Sequence, residues 1–203
     1  ASVPAAIEVI PMGVSEKALK RNWSAKEENW LVFLGKMNYY PNEDAVAYFA
    51  NEVFPLLRSK VKDLKFVIVG AYPTRRVQAL SKIPGVEVTG FVDDPYDYLE
   101  KAKVVVAPIR LGAGIQNKVL EAMALRRPVV TTPKGARGIA GGVDGKHFLV
   151  ADDPENMAGK ILELLNDPER RREIGHNARA LVEERYTWDV IGAKLLAEIE
   201  KVL

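Results

Sequence analysis

Six short apolar runs punctuate the chain: residues 30–35 (WLVFLG), 64–70 (LKFVIVG), 86–92 (VEVTGFV), 103–109 (KVVVAPI), 128–132 (PVVTT) and 147–151 (HFLVA). Most are apolar at odd and even positions alike, the pattern of a parallel strand covered on both faces. Between them the period changes. In residues 41–57 (PNEDAVAYFANEVFPLL), Val46, Phe49, Val53 and Leu56 recur at helical spacing. Pro41 suits the first turn of such a helix. Residues 73–83, 95–102 and 116–125 fill later gaps, and Pro41, Pro73, Pro95, Pro154 and Pro168 stand where elements begin. This alternation predicts an α/β fold: a Rossmann-like, doubly wound parallel sheet of about six strands with helices on both faces.

After Val150 the pattern turns wholly helical, over 153–167, 167–186 and 187–203. In the last stretch Ile191, Leu195, Ile199 and Val202 lie on one stripe. The chain therefore reads as a single domain, 1–203, with a lead-in segment (1–29), a sheet core (30–152) and a helical C-terminal tail (153–203).

Composition narrows the function classes. The chain is 48% hydrophobic and 28% charged, ordinary values for a soluble globular protein. Twenty-nine basic side chains nearly balance 27 acidic ones, for a net charge of +2, which argues against a nucleic-acid binder working by bulk charge. There is no cysteine, so no disulfide framework and no thiolate chemistry. The longest apolar runs are strand-sized, too short to span a bilayer. The chain opens on Ala1 rather than Met, and we read it as a piece of a larger protein.

Candidate chemistry gathers at two glycine turns. Gly35 and Lys36 follow the first apolar run; Gly112 and Gly114 follow the fourth, within APIRLGAGIQNK, and a helical pattern comes next. In a doubly wound sheet, ligands sit beyond the carboxyl ends of the strands. Glycine lets backbone approach a ligand closely, and a helix N-terminus offers free N–H groups. A phosphate there would also meet Arg110 and Lys118. Asn117, Lys118 and Glu121 share one helical stripe facing the loop. Glu121 stands among Val119, Leu120, Ala122 and Met123, and a carboxylate in that company needs partners. Ribose hydroxyls would supply them, and so would an ion pair with Lys118 or Arg126. The loop lacks both the full Walker spacing and the third glycine of a dinucleotide fingerprint.

Other features read as structural. The Asp pairs at 93–94 and 152–153 each precede a proline and read as helix caps rather than a metal site. His147 opens an apolar run and His176 sits in a tail helix; neither suggests catalysis. The arginine-rich stretches, including Arg126–Arg127 and 169–173, read as solvated helix faces. Trp188 reads as part of a structural stripe.

These segments, in order, resemble the carboxy-terminal half of family 4 glycosyltransferases with the GT-B fold, over nearly the whole chain. The resemblance implies a domain that binds a nucleotide-sugar donor (UDP-, GDP- or another nucleoside diphosphate sugar). An amino-terminal acceptor-binding domain of the same protein, absent here, would be its partner. Glu121 matches the second Glu of the family's Glu–seven residues–Glu motif, which holds the donor ribose. Ala113 stands where the first Glu falls, so that Glu's contact to the transferred sugar is missing. Gly35 matches the phosphate-side turn, with Lys36 in place of the usual Arg, and a second basic residue would fall near Asn42. Arg110 and Lys118 would replace the lost charge. Phe91 and Val92 match the segment whose backbone reads the base; Gly114, Ile115, Gln116, Asn117 and Lys118 match the stretch at the diphosphate.

The expected function is sugar transfer with retention by the whole enzyme, this domain stabilising the leaving diphosphate through Lys36, Arg110, Lys118 and helix amides. No catalytic residue, metal or cofactor is assigned, nucleic acid is not a partner, and the isolated domain is expected to be inactive. The expected location is cytoplasmic, with a peripheral place at the inner face of a membrane left open for the whole enzyme. The alternatives are a GT-B nucleotide-sugar epimerase and a non-catalytic nucleotide-binding module.

Overall fold

The computed structural model describes residues 8–21 and 26–201. Six strands, β1 (Glu28–Leu34), β2 (Lys65–Val69), β3 (Val86–Gly90), β4 (Ala102–Ala107), β5 (Val129–Thr131) and β6 (Leu149–Val150), form one sheet in the order β3-β2-β1-β4-β5-β6. Every pairing is parallel. Phe66–Val69 and Val104–Ala107 are fully buried, as two-sided apolar runs require. The chain winds outward from β1 through β2 to β3, then returns to lay β4 on the other side of β1. The order reverses between β1 and β4, which opens a crevice at their carboxyl ends.

The helices are α1 (Glu16–Lys20), α2 (Tyr40–Tyr48), α3 (Phe54–Arg58), α4 (Arg75–Ala79), α5 (Tyr96–Lys101), α6 (Asn117–Ala124), α7 (Pro133–Ala136), α8 (Pro154–Asn166), α9 (Pro168–Arg185) and α10 (Trp188–Glu200). The expected helix over 41–57 is one rod with a fault: a π turn at Phe49–Val53 joins α2 to α3. Pro55 has no N–H to continue the ladder, and the wider turn absorbs the break. The extra residue shifts the phase, so Phe54 and Leu57 are buried while Leu56 is only half-buried.

Caps fix where the later helices start. Asp153 accepts the Asn156 N–H at 2.8 Å and Asp167 that of Arg170 at 2.9 Å, whereas α5 starts at Pro95 with no side-chain cap and Asp94 only accepts the Tyr96 N–H two residues on, at 3.1 Å. Asp94 also anchors the lead-in: Lys17 lies 2.8 Å from it, and Arg21 bridges it to Asp97 and Glu100. His147 lies just before the last strand, buried, and its Nδ1 accepts the Val143 N–H at 3.0 Å.

Two arginines read as solvated are interior. Arg127 is 1% exposed and donates to Glu27 at 3.0 Å and to the Ala102 carbonyl at 3.1 Å. Arg171 donates to the other Glu27 oxygen at 2.7 Å and to the Leu164 carbonyl at 2.6 Å. The amino ends of β1, β4 and β5 and the helix α9 thus meet around one carboxylate. The tail stripe is the reverse case: in α10 only Ile191 is buried, while Leu195, Leu196 and Ile199 are exposed. Val202, the last member of that stripe, lies outside the described residues. Among the described residues no helix is long and apolar enough to cross a membrane.

Candidate functional site

The β1 turn is held from below. The Gly35 N–H donates to the Val69 carbonyl at 3.0 Å, and Asn42 Nδ2 donates to the Lys36 carbonyl at 2.9 Å. A Cβ at Gly70 would lie 1.7 Å from the Gly35 carbonyl oxygen, so the tips of β1 and β2 close together only because Gly70 has none. Asn42, where a second basic residue was sought, is buried structure under this turn.

The β4 loop turns on Gly112 (φ 96°) and Gly114 (φ 82°), a conformation that favours glycine. Its first side chain, Arg110, is committed sideways. Nε and a terminal nitrogen meet the two Asp44 oxygens at 3.0 and 2.6 Å, and the guanidinium lies 4.4 Å from the Tyr48 ring centre. Arg110 therefore clasps the loop to α2. At the far end of the loop, Gln116 precedes α6 without capping it through its side chain. The Val119 N–H turns back to the Gln116 carbonyl at 2.8 Å, which leaves the Asn117 and Lys118 amides to the crevice.

Between the two turns lies a cleft of about 320 Å³ lined by Leu34, Gly35, Tyr39, Ala113, Ile115, Gln116, Asn117, Lys118 and Glu121. Of the residues marked in the sequence, it brings together Gly35, Ile115, Gln116, Asn117, Lys118 and Glu121. Lys36, Arg110, Gly112 and Gly114 sit beside it without lining it, and Phe91, 75% exposed, and Val92 stand apart from its walls. A second hollow of about 420 Å³, bounded by Met12–Glu16, Leu120 and Trp188, shares Asn117 and Glu121 with the first. The stripe of Asn117, Lys118 and Glu121 is thus the ridge between two hollows.

The charges on that ridge lack strong partners. Lys118 Nζ donates to Gln116 Oε1 at 3.2 Å and lies 5.4 Å from the Phe33 ring centre. Burial pulls its pKa down to about 8, against a weaker upward pull from Glu121. Glu121 accepts from the Tyr96 hydroxyl at 3.4 Å, and among the described residues it is in no salt bridge. Neither ion pair considered for it, with Lys118 or with Arg126, is formed. Burial raises its pKa, and the Tyr96 hydroxyl and Lys118 only partly counter that. Burial first, then the Glu121 charge, raises the Tyr96 pKa, so the phenol stays a donor. Tyr96 was not marked in the sequence; in PYDYLEKA it reads only as helix. Asp44 was hidden among the acidic residues of NEDA, and Tyr39 in a turn. No group of three or more His, Cys, Asp or Glu among the described residues could hold a metal ion.

A doubly wound parallel sheet whose switch point opens a cleft, with Lys118 and Glu121 on one helix in its wall, defines a class: an α/β domain of the kind that takes its ligand at the strand ends. Residues 28–167 match the model of the family described as "Glycosyl transferases group 1", and the chain belongs to that family. The capsular polysaccharide biosynthesis glycosyltransferase CapM of Staphylococcus aureus is 29% identical over 154 residues, 70% of this chain and 39% of CapM. Among solved structures, an S. aureus TarM variant in complex with fondaparinux, alpha-GlcNAc-glycerol and UDP has a TM-score of 0.69 at 24% identity, over 86% of this chain and 36% of that one. HepE from Anabaena, in complex with UDP and glucose, has a TM-score of 0.66 at 15% identity, over 86% and 48%. The Rossmann-like α/β fold is shared with both. The chain spans less than half the length of all three.

Proposed function

We propose that this chain is the donor-binding domain of a sugar transferase, and that its cleft takes the nucleoside diphosphate of a nucleotide sugar. The observation that carries this reading is a weakly partnered lysine and a weakly partnered carboxylate on one helix face, at the switch point of the sheet. A buried charge without a partner costs stability, and a diphosphate beside Lys118 and ribose hydroxyls on Glu121 would supply both partners at once. The Asn117 and Lys118 amides at the start of α6 offer further donors to phosphate, and Lys36 follows the Gly35 that lines the cleft. That two structural neighbours hold UDP, and that CapM is a glycosyltransferase, supports the same reading. Base recognition falls to the backbone at Phe91 and Val92.

In the whole enzyme, a second, acceptor-binding domain closes over the cleft and sugar passes to the acceptor with retention. Lys118, Lys36 and the amides offset charge that develops on the leaving diphosphate. The work of this domain requires no metal, and its place is the cytoplasm. No observation favours an epimerase: His147 is used by the fold and His176 is exposed on α9.

The test is a thermal-shift panel of UDP, GDP, ADP and TDP with the chain as it stands. At 100 times its Kd, a ligand that binds only the folded state adds about 2.7 kcal/mol. At least one of the four should raise Tm, and the same sample should transfer no sugar to an acceptor. Four flat melting curves would remove the donor reading.

A further inference from the structure

Tyr96 is a core aromatic that ends on a charge. Its ring is buried, at 7% exposure, and its hydroxyl lies 3.4 Å from Glu121 Oε1. Packing alone would be met by a phenylalanine. The Ser15 side chain hydrogen-bonds to the same hydroxyl, so the phenol accepts from the residue before α1 and turns its own proton toward α6. Its backbone is held too. The Tyr96 N–H goes to Asp94, which Lys17 and Arg21 grip from α1 and its end. Around Glu121, Lys118 lies on the same helix and Glu16 across the second hollow, and neither forms a salt bridge with it or fills its oxygens. Among the described residues the phenol is the one donor to this carboxylate. It holds Oε1, while Oε2 accepts from none of them, and the residue lines both hollows.

We propose that Tyr96 is a positioning residue for the donor's ribose: its hydroxyl fixes Oε1 of Glu121 and presents Oε2 to the ribose hydroxyls. The inference rests on the donor reading above, with the ribose at Glu121. A glutamate side chain is long and free to turn, and it loses rotamer freedom when it binds. A partner that holds it in the bound orientation beforehand lowers that cost. Hydrogen bonds in an empty site are often long and shorten when the ligand completes the set. The phenol therefore orients the carboxylate while adding little to the stability of the empty domain. It also favours the ionised carboxylate, which only accepts and so suits a pair of hydroxyl donors.

A double-mutant cycle read by titration calorimetry on the full chain tests this. The ligands are whichever of UDP, GDP and ADP binds most tightly and its 2′,3′-dideoxy counterpart, which has no ribose hydroxyls to offer. Tyr96→Phe keeps the ring, so Tm should hardly move. Its affinity for the ribonucleotide should fall roughly fivefold, and its affinity for the dideoxy form should stay as in the wild type. In a Glu121→Ala background the same substitution should have no effect, because no carboxylate remains to be positioned. A Tyr96→Phe variant that binds the ribonucleotide as the wild type does, weakens both ligands alike, or acts as strongly without the Glu121 carboxylate overturns the proposal while the donor reading stands. A wild type that binds the dideoxy form as tightly as the ribonucleotide takes the ribose away from Glu121 and overturns it as well. A chain that binds none of the three diphosphates loses the donor reading and this one with it.

Discussion

The two ends of the sheet treat buried charge in opposite ways. At the amino ends, Glu27 is gripped by Arg127 and Arg171, and those arginines spend further donors on the carbonyls of Ala102 and Leu164. At the carboxyl ends, Lys118 has one amide oxygen and Glu121 one distant phenol. Both clusters hold charges in low-dielectric surroundings, where each needs a partner. One pairs its charges within the chain, although Nε of Arg127 and of Arg171 is buried without a partner among the described residues; the other leaves places for partners. Charge that closes on itself belongs to the fold, and charge left open at a switch point belongs to a ligand. Arg110 is the intermediate case, a cation at the site whose partner is Asp44.

The largest expected effect falls at the closed end. Glu27→Ala strands two buried guanidinium groups and should cost about 3 kcal/mol. Urea denaturation should show the loss, and any nucleotide affinity should stay unchanged in the protein that remains folded. If stability fell by less than about 1 kcal/mol, the closed cluster would be a dispensable ornament of the fold.

Lys118→Met is the intermediate case. Its pKa is lowered from 10.5 to about 8 by burial, so between these values the unfolded chain binds the extra proton and the folded chain does not. Stability should therefore rise with pH from about 8 to about 10.5, and below 8 the charged lysine is a constant burden. Removing it should stabilise the empty domain by on the order of 1 kcal/mol, or a few degrees in Tm. For ligand the sign reverses. A diphosphate needs the ammonium, so its affinity should fall as pH rises through about 8, and Lys118→Met should flatten that step and narrow the gap between diphosphate and nucleoside. A gap unchanged in the variant, at low and high salt alike, would take Lys118 out of the phosphate site.

The smallest effect belongs to Arg110. Its side chain is 48% exposed beside Asp44, so Arg110→Ala should cost under about 1 kcal/mol of stability once solvent screening is counted. Nucleoside affinity should not move. A diphosphate affinity that falls as far as in Lys118→Met would show that Arg110 leaves Asp44 to reach the phosphates.

Period and punctuation made much of this legible. Short apolar runs, most of them apolar on both parities, placed all six strands, and proline with aspartate placed the starts of α8 and α9. The glycine turn before an apolar helix placed the cleft, because topology sends both to the same edge. What stayed hidden was pairwise. Arg127 and Arg171 look solvated in sequence because Glu27, the residue that permits their burial, is far away along the chain. The phase shift before Pro55 depends on a π turn that no spacing announces. Tyr96 and Asp44 carry no local signal either; each acquires its role only when α5 or α2 is set against a loop from another part of the sheet.

The central claim is that open charge at the carboxyl ends waits for a ligand, and Glu121 tests it most directly. Glu121→Gln keeps the shape and removes the charge, so stability and affinity can be measured on the same protein. Burial raises the Glu121 pKa, so the native carboxyl holds its proton to higher pH than the unfolded one. Its contribution is therefore lost as pH rises through the raised value, and at neutral pH the bare carboxylate burdens the fold. The account predicts that Glu121→Gln leaves urea stability at pH 7 unchanged or raised, while calorimetry shows nucleoside diphosphate affinity falling roughly tenfold to a hundredfold. A variant that binds the nucleotide as the wild type does, and is less stable, would contradict it and make Glu121 one more structural charge.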